Sequence, residues 1–146
     1  MTEVSFRTNV ADPVDYVGRY LRKSLRAGRT AAVVGPRDRL AALSQSLWRF
    51  PPTDFVPHVV LRAGAQPAAV QAPTPLWLVE SAADAPVHTV LLNLGDEAPE
   101  GFERFERVVE VVPTEGEGRE AGRRRWRHYQ TRGYTIEHHD ASGEAA

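Results

Sequence analysis

Apolar residues along this 146-residue chain recur with two periods, and the alternation between those periods predicts the fold. Val4 and Phe6 flank the polar Ser5, the pattern of a short first strand with one buried face. Asp12-Pro13 follows, a residue suited to capping a helix and a proline suited to its first turn. From there Val14, Val17, Leu21 and Leu25 recur at three- and four-residue steps and so share one helix face, and Gly28 supplies a left-handed stop. Arg19, Arg22, Lys23 and Arg26 occupy much of the remainder of that helix. Residues 30–34 are an apolar run of strand length, and Pro36 opens a second helix with Leu40, Leu43 and Leu47 on one side. Pro51, Pro52, Pro57, Pro67, Pro73 and Pro75 then interrupt any helix, so long connections are expected through the middle of the chain. Residues 76–79, 89–93 and 108–112 read as further strands, with a short helical segment at 102–105. Residues 119–132 read as the last long helix, stopped by Gly133, with a short strand possible at 134–137. Strands alternating with helices define the α/β class, here one three-layer α/β/α domain over residues 1–140 with a flexible tail at 141–146.

Composition narrows the class. The chain has no cysteine, which removes disulfides and thiolate metal sites, and its longest apolar runs fall far short of the ~20 residues a membrane helix needs. The first residues carry no basic stretch followed by an apolar one, so a cytoplasmic protein without membrane contact is expected. Net charge is only −1, but the charges are segregated. Residues 119–132 hold six arginines (Arg119, Arg123, Arg124, Arg125, Arg127, Arg132) against the single acid Glu120, while residues 96–117 are predominantly acidic.

Candidate chemistry is sparse. Val33-Val34-Gly35-Pro36 leads from a strand into a helix through glycine, where a dinucleotide-binding fold cradles pyrophosphate, but Arg37, Asp38 and Arg39 follow with no further glycine. The nucleotide-binding fingerprint is therefore missing, and a small nucleotide-using enzyme at Gly35 is the weakest reading. His58, His88, His128, His138 and His139 lack metal-site spacing, and the acidic residues lie in a continuous charged stretch instead of beside apolar runs that would bury them. No catalytic residue, metal or cofactor is expected. Binding features are richer. Trp48 and Phe50 lead into a proline-held segment with Phe55, Val56, Pro57 and His58, so these aromatics either pack beneath the segment or form an exposed anchor patch. On the last helix Arg119, Arg123 and Arg127 form a stripe at four-residue spacing, Trp126 lies beside it, and Gly122 and Tyr129 lie beyond on the core side. An aromatic shelf flanked by guanidinium groups suits an acidic peptide ending in an aromatic residue. It also suits single-stranded nucleic acid, bound directly by the arginine-rich helix.

The order of Leu47-Trp48, Phe55-Val56-Pro57-His58, Thr89-Val90-Leu91-Leu92-Asn93-Leu94 with Phe102, Phe105 and Val109, and the arginine- and aromatic-rich segment 123–134 resembles the chi subunit family of bacterial DNA polymerase III. The resemblance covers most of the chain. It implies a Rossmann-like fold with a mostly parallel or mixed sheet, without nucleotide binding, and a non-catalytic accessory role in DNA replication beside a DNA-directed DNA polymerase. It also implies two partners: the psi subunit of the clamp loader, docked on Trp48, Phe55, Val56 and Pro57, and the acidic C-terminal tail of single-stranded-DNA-binding protein, received by Val112, Arg123, Trp126 and Arg127. DNA would then be reached indirectly. The chain departs from the family in Arg62-Ala63-Gly64-Ala65, which stands in a longer loop, and in Trp126, where a tyrosine is usual.

Overall fold

The computed structural model describes residues 2–48, 56–68 and 74–142. Seven strands form one sheet: β1 (Glu3–Val10), β2 (Ala31–Val34), β3 (His58–Leu61), β4 (Leu76–Val79), β5 (Val90–Asn93), β6 (Arg107–Pro113) and β7 (Ile136–Asp140). Their spatial order is β3-β4-β2-β5-β6-β1-β7, and every pairing is parallel. Parallel neighbours need crossovers, which three helices supply in part: α1 (Pro13–Arg26), α2 (Arg37–Trp48) and α3 (Glu117–Thr131). The expected α/β class and three layers are thus observed.

Local chemistry explains the elements. Asp12 caps α1 by accepting from the Asp15 amide at 3.1 Å, Pro13 opens the helix, and Gly28 follows it with φ 70°. β2 and β4 are buried at every position because helices or short 3₁₀ segments cover both faces. One core, beneath α1 and α2, gathers Val17, Leu21, Leu40, Leu43, Val33 and Val109; the other, beneath α3, gathers Phe6, Val108, Val112, Phe102 and Tyr129. The alternation along β6 sends Val109 to the first core and Val108 and Val112 to the second.

Three expectations change. β1 extends to Val10, longer than the pattern around Val4 and Phe6 suggested. β3 was not expected, since Pro57 stands just before it; proline there occupies the residue preceding the strand, where no ladder bond is lost. The last strand begins at Ile136 rather than Tyr134 and reaches Asp140, because Gly133 (φ 83°) and the turn after α3 take up the intervening residues. Among the described residues no helix is long and apolar enough to cross a membrane.

Candidate functional site

At the carboxyl ends of β1 and β6 the chain leaves the sheet in two directions, and α3 folds back over the face shared with β7. Two glycines set how closely α3 approaches. A Cβ on Gly122 would stand 2.6 and 2.8 Å from the Val112 methyl carbons, and one on Gly118 would collide with the Pro113 ring. Glycine at these positions, one turn apart, lets the helix backbone rest on the end of β6. The result is a groove of about 410 Å³ whose floor is Phe6, Val112 and Gly122 and whose helix wall carries Arg119, Arg123, Trp126 and Arg127. Val112, Arg123, Trp126 and Arg127 are therefore brought together in one cavity.

Trp126 is half-buried, as its border position on the helix implied. Its ring meets Phe6 at 4.9 Å and 62°, and His138 of β7 stands edge-on to it at 5.6 Å and 88°. His138 Nε2 is hydrogen-bonded to the Thr8 hydroxyl at 2.7 Å, so the indole is wedged between core and strand edge and cannot rotate freely. Arg119, Arg123 and Arg127 are exposed. Arg123 donates to Glu120 at 3.3 Å in a solvent-exposed pair, which holds the arginine only weakly. Outside the groove, at the end of β7, the pKa of the Asp140 carboxyl is lowered to about 2, chiefly by the Ser142 amide at 2.9 Å, then by the Ser142 hydroxyl and the side chain of Asn9, itself a groove residue.

Sequence reasoning missed what lies behind the groove. Glu110, read as part of a continuous charged stretch, and Arg125, counted among the six arginines of the last helix, are both buried and paired at 2.6 Å. Glu110 also accepts from the Tyr129 hydroxyl at 2.6 Å and from Asn93 Nδ2 at 3.1 Å, while Arg125 donates to the carbonyls of Val111 and Asp96. Burial, reinforced by Glu110, pushes the Tyr129 hydroxyl far up, so it remains a donor. Every charge in this cluster is matched, which is the condition for burying it at all. The cluster bolts α3 to β6 and β5. The glycine spacing at 118 and 122 was the available signal for the docking; Glu110 was signalled by its place between four valines.

Other expected positions fall elsewhere. Trp48, at the end of α2, is 60% exposed, with His58 of β3 5.5 Å from its ring. Val60 of β3 is also exposed, Pro57 is half-buried, and Val56 is sealed in the core beneath α1 and α2. Phe50 and Phe55 lie outside the described residues. At Gly35 a Cβ would meet the Leu94 Cβ at 3.1 Å, so this glycine admits a neighbouring side chain.

Fold and groove together define an all-parallel α/β domain that presents a cationic, aromatic-walled cleft at its strand ends. The chain belongs to the DNA polymerase III chi subunit family: residues 1–137 match the family described as DNA polymerase III chi subunit, HolC. It is 34% identical over 97 residues to DNA polymerase III subunit chi of Pseudomonas aeruginosa (strain PAO1), which is 66% of this chain and 63% of that protein. The aligned stretch thus spans less than two thirds of that relative. In structure it is similar to the C-terminal domain of the DEAD-box protein Dbp5, with TM-score 0.60 and 10% identity over 97% of this chain and 91% of that one, a likeness of fold alone.

Proposed function

We propose that the chain is a non-catalytic accessory subunit of DNA polymerase III in DNA replication, working in the cytoplasm without a cofactor. It would bridge the psi subunit of the clamp loader and the acidic C-terminal tail of single-stranded-DNA-binding protein. The observation that carries the second contact is the groove itself: three arginines at one-turn spacing flank an apolar floor with an indole wall. Guanidinium groups hold carboxylates, and the floor takes a terminal aromatic ring. Burying one phenylalanine contributes about 2 to 3 kcal/mol and each charge-assisted hydrogen bond about 1.5 to 3, from which ordering costs are subtracted, so affinity near micromolar is expected. For psi, Trp48 and Val60 are exposed, Pro57 is half-buried and Val56 packs in the core beneath α1 and α2, and exposed apolar side chains of this kind suit an anchor-type interface.

Titrating an acidic, phenylalanine-ended peptide by isothermal calorimetry tests the reading. Arg127→Ala should weaken binding several-fold, and Arg123→Ala less, because Glu120 already engages Arg123 in the free chain. Equal affinity for wild type and Arg127→Ala would overturn the assignment.

A further inference from the structure

We propose that the outer face of α1, on the opposite side of the sheet from the groove, binds the phosphate backbone of single-stranded nucleic acid. The centre of this surface is Arg7 on β1. Its Nε donates to the Ser5 hydroxyl at 3.2 Å and its Nη1 to the Tyr16 hydroxyl at 3.1 Å, and its guanidinium carbon stands 5.9 Å from the Tyr20 ring centroid. Ser5 and Tyr16 are buried, so the guanidinium is held from below by fixed neutral groups. Among the described residues no carboxylate lies within ion-pairing distance of it. A half-buried arginine that is oriented in advance and lacks a counter-charge is prepared for an external anion.

The helix continues the charge. Arg19, Arg22, Lys23 and Arg26 fall at steps of three and four and share one stripe, opposite the buried Val17 and Leu21. Successive turns set these side chains ~5.4 Å apart along the axis. Carboxylates on this side include Asp12, which caps α1, Asp15, engaged by Arg19 at 3.0 Å, Glu3, engaged by Arg107 at 3.0 Å, and Glu137, in register with Ser5. Lys23 and Arg26 are exposed, and no ion pair holds either of them among the described residues. Tyr20 is half-buried at the border between the stripe and Arg7, which offers one aromatic ring amid a row of cations. Phosphates along cations with a base against an aromatic is the pattern of single-strand binding. A lipid surface would ask for an apolar flank on the same helix, and the apolar side chains of α1 instead pack into or against the core.

The test is fluorescence anisotropy of the full chain with a labelled oligothymidylate of about 20 nucleotides across a salt series. About three phosphate contacts give a log–log slope near −2, or roughly 20-fold weaker binding at 200 than at 50 mM salt. Lys23→Glu/Arg26→Glu, at exposed positions, should lower affinity at 50 mM about tenfold or more and flatten the slope. Tyr20→Leu should lower affinity about tenfold and leave the slope in place. Arg123→Ala/Arg127→Ala, at the peptide groove, should leave oligonucleotide binding intact, so this result stands or falls apart from the peptide reading. Undiminished binding by Lys23→Glu/Arg26→Glu, loss of binding in the groove variant instead, or capture by phosphatidylserine vesicles without binding to the oligonucleotide would each overturn the proposal.

Discussion

Glu110 is a carboxylate inside a sheet, and its neighbours decide what a change there does. Both oxygens are occupied by donors from Arg125, Tyr129 and Asn93, with Arg125 and Tyr129 at 2.6 Å. Glu110→Gln keeps the shape and removes the charge, leaving the Arg125 guanidinium buried without its counter-ion; removing one member of such a pair costs about 3 to 5 kcal/mol. Asp15→Asn breaks the exposed pair with Arg19 and should cost under about 1 kcal/mol. Urea unfolding of both variants should therefore rank them far apart, and a loss below about 1 kcal/mol in Glu110→Gln would contradict the buried pairing. Trp126 and Arg125 mark the limit of what single positions disclose. Trp126 was legible because its helix face could be drawn from neighbours three and four residues away. Arg125 sits in a row of three arginines, and only the fold turns one of them inward to a carboxylate fifteen residues back.

At the scale of elements, α3 makes the groove by lying close to β6, and Gly122 sets the distance. Gly122→Ala gains about 1 kcal/mol of helix propensity, but its methyl must enter space held by the Val112 side chain, and overpacking of this kind costs about 1 to 3 kcal/mol. The second effect wins. The variant should melt at a lower temperature and bind the acidic peptide more weakly, since Val112 itself floors the groove. Adding Val112→Ala makes room for the new methyl and should return part of the lost stability; a double variant no more stable than Gly122→Ala would place the strain elsewhere. Element by element, α1 was the most legible, with cap, proline, apolar stripe and glycine stop all local. β3 was the least legible. Its four residues follow a proline-rich stretch, sit at the sheet edge with only Leu61 buried, and become a strand through pairing with β4.

On the scale of the whole molecule, the alternation of periods disclosed the α/β class but not the order of strands, because β1 pairs with β6 a hundred residues away and that pairing leaves no local trace. Yet the order determines the arrangement of the two proposed binding surfaces. Strand β1 lies between β6 and β7, with α3 over one face and α1 over the other, so its alternating residues serve both: Phe6 floors the groove while Ser5 and Arg7 face α1. A sheet with a helix on each side separates such surfaces by roughly 20 Å. That exceeds twice the Debye length of about 8 Å at physiological salt, so charge brought to one face is largely screened at the other. The acidic peptide and the oligonucleotide should then bind together. In anisotropy titrations at physiological ionic strength, saturating peptide should change oligonucleotide affinity by less than about twofold, and by linkage the reverse titration should show the same small factor. Mutually exclusive binding would place both ligands on one face and would be incompatible with this division of the sheet.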